Sequence, residues 1–404
     1  MNDIATKRIT LIGMGEEGID SLPVAALAAL EEAEMIFGSE RLLSHIPPGK
    51  PMRAWPSPFS ALIDEIRATA PARVAILATG DPSHYGVGNQ LARAFADELQ
   101  ILPGPSAFSL AAARLAWPLQ EVECLSFHGR PAAAIEPFIQ PCQRIIALTA
   151  GDATIHEIAE RLTKRGYGPS ELTVLENMGG DFEKCSNFTA QAIQETRFSA
   201  LSTLAIECLP EPGAKLLPRT PGLPDDAFKH DGQLTKREVR AATLSALMPV
   251  PGALLWDCGA GCGSVAIEWM RVHPRNRAIA FEQSEDRLAM IAQNADFLGT
   301  PSLDIVPGSL PGSLAEQPRP DAIFIGGAVS DEVLFTICWE SLLPGGRLVA
   351  NAVTLEGEAA LINRHAQLGG DIVRIDIAHL EAVGRLRGMR PRMSVLQWRI
   401  VKPW

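Results

Sequence analysis

The chain has 404 residues, 47% hydrophobic and 21% charged, with a formal net charge of -11. That length holds roughly two to three domains able to bury their own cores, and that composition excludes a disordered chain. The acidic balance disfavours a nucleic-acid partner, since it would repel a phosphate backbone.

No apolar run approaches the roughly 20 residues needed to cross a bilayer, and "MNDIATKRIT" lacks the apolar core of a signal peptide. A cytoplasmic protein with no membrane partner is expected. Seven cysteines between Cys124 and Cys338 show no C-x-x-C pairing. Reduced thiols and no metal site are expected.

The first predicted strand runs into "ITLIGMGEEGID", where Gly13, Gly15 and Gly18 make G-x-G-x-x-G. A dinucleotide loop of this kind requires an acidic residue at the tip of the next strand. That strand, "AEMIFGS", ends in Gly38 and Ser39, so the reading fails in its own context. Further strands follow at "RVAILATG", "RIIALTA", "ELTVLE" and "TLAIECL", alternating with helical patterns. This is the pattern of an α/β protein built on parallel sheets. "LPEPGAKLLPRTPGLPDD", Leu209 to Asp226, then breaks the alternation with proline and glycine and reads as a linker. The predicted domains are 1–212 and 213–404.

Beyond it, "LTKREVRAATLSALM" has the apolar spacing of a helix, and Thr235 to Glu238 has the form of a capping box. The strand "ALLWDCG" ends in Asp257 and Cys258, and Gly259, Gly261 and Gly263 follow before a helix at "SVAIEWM". Glycines there let backbone approach a ligand that side chains would block. The next strand, "RAIAFE", ends in Glu282, a carboxylate placed to accept ribose hydroxyls. "LDIVPG" ends in Gly308, "DAIFIGGAVS" carries Gly326 and Gly327, and a β-rich C-terminus closes the chain.

The order D-x-G-x-G-x-G, helix, acidic strand end resembles the class I, Rossmann-like S-adenosylmethionine-dependent methyltransferases. Gly326-Gly327 stands where base-amine methylases carry an Asn/Asp-Pro-Pro-aromatic motif, which argues against that acceptor. "DDAFKHDGQLTKREVRA" and the tail resemble the small methylase that acts at carbon 15 of precorrins with loss of a carboxyl group. This resemblance implies a cofactor site of Thr235, Asp257, Gly259, Ala260, Gly261, Cys262, Gly263, Glu282 and Gly308. For Thr235 the capping role and the cofactor role stay open together.

In the first half, "ILATGDPSHYGVG" and "ILPGPSAFSLAAARLAWPL", with the opening loop, resemble the two-lobed tetrapyrrole methylases over residues 8 to about 208. "SFHGRP", "LTAGDATIHEIAERL" and "VLENMGGDFEKC" follow in the family's order. The resemblance implies that Thr79, Gly80, Asp81, His84, Ser106, Ala107, Thr149 and Ala150 line a cofactor site. "GMGEEG" departs from the family's Gly-Pro-Gly ending, and Pro105 replaces a commoner aliphatic residue.

The fusion of the two resembles decarboxylating precorrin methyltransferases that modify carbons 5 and 15. It implies S-adenosylmethionine at two sites per chain, precorrin-6Y as substrate, precorrin-8X as product, and a homo-oligomer. Carbon 15 and the ring C acetate fall to the second domain and carbon 5 to the first. Alignment of donor and acceptor then supplies most of the acceleration.

The substrate's carboxylates require local cations, and Arg385, Arg387, Arg390 and Arg392 crowd "GRLRGMRPRMS". Arg387 and Arg390 are the candidate clamp, against a solvated loop. His128 and Arg130 in "FHGR" are candidates in the first domain, with His128 a possible proton shuttle or a structural residue. Three competing readings remain at this stage: another acceptor such as RNA, a non-catalytic first domain, and a nicotinamide-dependent reductase.

Overall fold

A computed structural model describes residues 8–69, 72–193 and 196–404. The chain divides into two compact units, Met1–Ala132 with Pro141–Ala214, and Ala133–Gln140 with Lys215–Trp404. The division falls between Ala214 and Lys215, beside the predicted boundary at 212. The inclusion of Ala133–Gln140 in the second unit was not foreseen. That segment is held there by the Gln140 amide on the Leu217 carbonyl (2.8 Å) and by Phe138 beneath the Arg219 guanidinium (5.0 Å).

The proline-rich run is not a free tether. The Leu209 and Glu211 amides bond into the first unit, while Leu217 and Leu223 are buried in the core of the second.

In the first unit, β1 (Ile9–Met14), α1 (Val24–Glu32), β2 (Met35–Gly38), α2 (Glu40–Leu43), β3 (Met52–Ala54), α3 (Leu62–Ala68), β4 (Val74–Thr79), α4 (Gly88–Phe95) and β5 (Leu99–Leu102) come first. They make a parallel sheet of order β3-β2-β4-β1-β5. All six β1 residues are buried, as a central parallel strand requires. Strand alternation assigns the two faces: Ile9 and Leu11 pack with α3 and α4, Ile12 and Met14 with α1 and α2.

The second sheet of this unit follows α5 (Ala107–Leu115), with β6 (Val122–Ser126), β7 (Arg144–Leu148), α6 (Asp152–Lys164), β8 (Glu171–Glu176), β9 (Lys184–Thr189) and β10 (Ser202–Glu207). Its order is β6-β7-β10-β8-β9, and only β6 and β7 run parallel. α5 buries Phe108, Ala111 and Ala112 at helical spacing, begins at the Ser106 cap and stops where Ala116 turns left-handed.

The second unit contains α7 (Arg237–Leu247), β11 (Leu254–Cys258), α8 (Ser264–Val272), β12 (Arg277–Glu282), α9 (Glu285–Leu298), β13 (Asp304–Pro307), β14 (Ala322–Ile325), α10 (Glu332–Ser341) and β15 (Arg347–Ala352). α11 (Leu355–Leu368), β16 (Asp371–Ile375), the hairpin β17 (Ala378–Val383) with β18 (Leu386–Pro391), and β19 (Val395–Val401) complete it.

The sheet order is β13-β12-β11-β14-β15-β19-β16, parallel through β15 and antiparallel at β19 and β16. Strand order reverses between β11 and β14, which opens a crevice at their carboxyl ends. Alternate strand residues again build two cores. Leu255, Ala280 and Phe324 pack with α7, α8 and α9, while Trp256, Phe281 and Ile323 pack with α10 and α11. Both units are of the expected α/β class. Among the described residues no helix is long and apolar enough to cross a membrane.

Candidate functional site

The crevice of the second unit is a cavity of about 1040 Å³. Its floor begins at Asp257, the penultimate residue of β11, which is 1% exposed. Asp257 Oδ2 accepts the Ala266 amide at 3.1 Å, while Oδ1 is buried without a partner. Burial, with some repulsion from Glu282, pushes this carboxyl up to about 7.

Gly259 and Gly261 follow with φ of +78° and +60°, a region that penalises any Cβ. A Cβ on Gly259 would meet no atom within 4 Å, so the loop presents bare backbone to open space. Glu282, at the end of β12, accepts from Gly261 N (2.9 Å), Gln283 N (2.9 Å) and Ser284 N (3.0 Å). These bonds fix the carboxylate beside the glycine loop.

Beside the glycine loop, where a Cβ on Gly261 would stand 3.5 Å from the Gln233 carbonyl oxygen, runs the strand-less segment 232–236, and a buried ion pair holds it. Arg240 on α7, wholly inaccessible, pairs with Glu268 on α8 at 2.6 Å and with Asp225 at 3.1 Å. The same guanidinium donates to the carbonyls of Thr235 and Leu223, and Glu268 accepts the Gly222 and Leu223 amides. A buried charge left unpaired is costly, so this network ties the wall to two helices. Thr235 is not the cap of α7. The capping position is Lys236, which makes no side-chain cap bond, and Glu238 turns toward His379 instead of back to the helix start. The capping-box reading is therefore corrected, and Thr235 lines the cavity.

Seven expected residues line one cavity: Thr235, Asp257, Gly259, Ala260, Gly261, Glu282 and Gly308. Cys262 and Gly263 do not. The Cys262 side chain is packed in the core, and Gly263 backs onto Ile291, where a Cβ would come within 3.0 Å. A glycine loop necessarily has an inner side, and these two residues form it. Cys258 likewise points away, its thiol 3.9 Å from that of Cys338.

Arg387 and Arg390 also lie outside the cavity. Both are exposed on the β17–β18 hairpin, and Arg390 pairs with Glu381 at 3.3 Å. Arg392 is the member of the arginine run that reaches the wall. Sequence reading missed Lys236, Glu238 and His379, which complete the outer wall. Their signal was weak because the hairpin that brings His379 in is distant in sequence.

In the first unit the loops after β1, β4 and β5 meet on glycines. A Cβ on Gly13 would lie 1.9 Å from the Gly80 carbonyl oxygen and 2.4 Å from the Gly104 amide nitrogen. Gly80 has φ +61°, and its missing Cβ would fall 3.0 Å from Pro105 O and 3.3 Å from Ser106 Cα. Thr79, Gly80, Ser106 and Ala107 are thus drawn into one neighbourhood by backbone packing.

Asp81 stabilises its own turn, with Oδ1 accepting the Ser83 amide at 2.8 Å. Tyr85 sits at φ +58°, and its hydroxyl donates to the Cys124 carbonyl at 2.9 Å. The His84 ring stacks on Tyr85 and lies 4.5 Å from Phe108, while the Arg130 guanidinium lies 5.3 Å from the Tyr85 ring centre. His128 is exposed.

Thr149 departs from expectation. It is fully buried and its hydroxyl bonds Ser202, so the side chain faces its own sheet; Ala150 beside it is exposed. An unforeseen pair stands at the mouth of the opening loop: Arg41 on α2 pairs with Glu16 and donates to Thr79 Oγ1 at 2.8 Å. Burial lowers the Arg41 pKa from its ordinary value.

Residues 226–402 match the family described as precorrin methyltransferase domain, and residues 8–194 match the tetrapyrrole (corrin/porphyrin) methylases. Over 399 residues the chain is 44% identical to the precorrin-6Y C(5,15)-methyltransferase [decarboxylating] of Sinorhizobium sp, covering 98% of this chain and 96% of that one. The chain belongs to this family.

The Mycobacterium tuberculosis (strain CDC 1551 / Oshkosh) member is 36% identical over 98% of this chain and 100% of its own. The solved C-terminal domain of the Rhodobacter capsulatus precorrin-6Y C5,15-methyltransferase is 46% identical, covers 46% of this chain and 100% of its own, and superposes with a TM-score of 0.44. As a member of this family the chain is an S-adenosylmethionine-dependent C-methyltransferase of cobalamin biosynthesis that decarboxylates a tetrapyrrole.

Proposed function

We propose that the chain converts precorrin-6Y to precorrin-8X, with methylation of carbon 15 and loss of the ring C acetate carboxyl in the second unit and methylation of carbon 5 in the first. The observation that carries the reading is the second unit's cavity, where an unpartnered buried carboxylate oxygen, a bare glycine loop and a fixed acidic strand end line one space.

The residues present fit S-adenosylmethionine. Asp257 suits the ammonium of its amino-acid end, Gly259 to Gly261 its backbone approach, and Glu282 its ribose. When bound, it supplies an activated methyl group as a sulfonium and leaves as S-adenosylhomocysteine. The chain's own contribution is alignment and desolvation. The glycine loop admits the donor closely, Gly326 and Gly327 keep the facing wall free of side chains, and Arg392 and Lys236 offer cations to substrate carboxylates. In the first unit Gly80, Ser106 and Ala107 are proposed to hold the second cofactor, with Arg130 beside Tyr85 facing the substrate.

A cation beside Asp257 favours its ionised form, so ligand binding below pH 7 should release a proton. Calorimetric titration of the intact protein with S-adenosylhomocysteine at pH 6, in buffers of different ionisation heat, tests this. Heats that depend on the buffer, and lose part of that dependence in Asp257→Asn, support the assignment. Identical dependence in the two proteins refutes it.

A further inference from the structure

The second unit's cavity holds more ionisable side chains than methyl transfer requires. Eight line it: Asp225, Lys236, Glu238, Asp257, Glu282, Arg287, His379 and Arg392. Four already hold protein partners, although the guanidinium of Arg392 carries more N–H donors than one carboxylate takes up and can still meet a substrate carboxylate. Asp225 is held by Arg240, Glu282 by three backbone amides, Arg287 by Asp231 at 2.8 Å, and Arg392 by Glu381 at 3.0 Å. Asp257 lies at the foot of the glycine loop, at the end of the cavity suited to the cofactor. Lys236, Glu238 and His379 remain, and of these Glu238 and His379 stand side by side.

His379 is the cavity's single imidazole. It enters from β17, with Nε2 3.8 Å from Glu238 Oε2 on α7. Ile377, Val353, Met393 and Val395 also line the cavity. Lys236 at the start of α7 also lines the cavity, and the cross-strand neighbour of His379 on β18 is Arg390, which shares Glu381 with Arg392 (3.3 and 3.0 Å). An imidazole has two ring nitrogens, one able to donate a proton while the other accepts one, a role that neither an ammonium nor a guanidinium takes readily.

We propose that His379, supported by Glu238, is the proton donor to the acetate carbon from which carbon dioxide departs. The proposal rests on the function assigned above to this cavity. The bond between the acetate methylene and its carboxyl carbon breaks, carbon dioxide leaves, and the electron pair enters the conjugated macrocycle. There it cancels the positive charge that methylation has delivered. The methylene carbon then takes a proton from His379 and becomes a methyl group. The macrocycle releases one proton elsewhere, and the imidazole is reprotonated from water. No oxidant, reductant or metal enters the balance.

The test uses the intact chain with S-adenosylmethionine and precorrin-6Y, and reads cofactor-product affinity, carbon dioxide release and formation of the protonated methyl group. His379→Gln should still bind S-adenosylhomocysteine with unchanged Kd and still release carbon dioxide. Formation of the protonated product should slow by about 100-fold, with a decarboxylated, unprotonated species of altered visible absorption accumulating. Glu238→Gln should show the same species with a smaller delay, about 10-fold.

Wild-type rates of protonated product in His379→Gln would overturn the proposal. So would loss of S-adenosylhomocysteine binding in both His379→Gln and His379→Asn, which would make the residue structural. Failure of the underlying assignment looks different: the unmodified protein would form S-adenosylhomocysteine without releasing carbon dioxide.

Discussion

The two units reach a ligand-binding surface by opposite routes. In the second, a glycine loop stands clear of neighbouring atoms, with acidic residues at two strand ends and a large cavity between them. In the first, three glycines exist so that backbone segments can touch one another, and polar side chains are engaged locally: Asp81 with Ser83, Thr149 with Ser202, Arg41 with Glu16. Glycine in one unit makes room for a ligand; in the other it makes room for the protein. The same residue type in similar-looking motifs therefore carries different consequences when a methyl group is added.

The largest expected effect follows from that contrast. Gly13→Ala places a Cβ within 2.4 Å of backbone atoms from two other loops, which cannot move as a side-chain end can. Loss of about 4 kcal/mol or more of stability is expected by denaturant unfolding. Gly259→Ala meets only open space but must hold φ +78°, so a loss of about 1 to 2 kcal/mol is expected, with S-adenosylhomocysteine affinity more affected than folding. Equal destabilisation by the two would erase the distinction.

Next in size is Glu268→Gln. It removes the buried negative charge 2.6 Å from the wholly inaccessible Arg240, leaving Asp225 at 3.1 Å as its remaining anion, and weakens the bonds that hold the cavity wall. About 3 kcal/mol should be lost, together with ligand affinity in the second unit alone. A fall in stability with affinity intact would show that the wall needs no such tether.

Asp257 gives a smaller, pH-dependent effect. Its carboxyl moves from an ordinary 3.8 to about 7 on folding. Between those values the folded protein keeps a proton that the unfolded chain releases. This contribution to stability is fully present below about pH 3.8 and is lost as pH rises toward 7. Wild-type stability minus that of Asp257→Asn should fall with pH across that window, and a flat difference would contradict the burial argument. Smallest are the hairpin arginines. Arg387→Ala should leave substrate KM unchanged, whereas Arg392→Ala should raise it, and the reverse order would restore the clamp to the hairpin.

The second unit's cofactor wall was legible because its chemistry is local. D-x-G-x-G and Glu282 are close in sequence, and the strand-loop-helix pattern fixes which atoms face the crevice. What escaped was set by distant packing. His379 meets Glu238 only because a hairpin after β16 folds back to α7, and α7 starts one residue later than the capping-box pattern places it, with Lys236 at the cap position. Cys262 was included because a motif does not reveal which side of its loop faces inward. In the first unit the sheet was legible from apolar runs such as "ITLIGM", but the Arg41–Glu16 pair and the buried Thr149 hydroxyl depend on partners about 25 and 53 residues away. Ala133–Gln140 joined the second unit through contacts no composition shift marks.

The central claim is that each unit binds its own S-adenosylmethionine. The most direct measurement is the stoichiometry of S-adenosylhomocysteine binding to the intact chain by titration calorimetry, repeated on Gly261→Val, which fills the second unit's loop. Two sites in the unmodified protein and one in the variant are predicted. One site in the unmodified protein, abolished in the variant, would contradict the account and leave the first unit without a cofactor of its own.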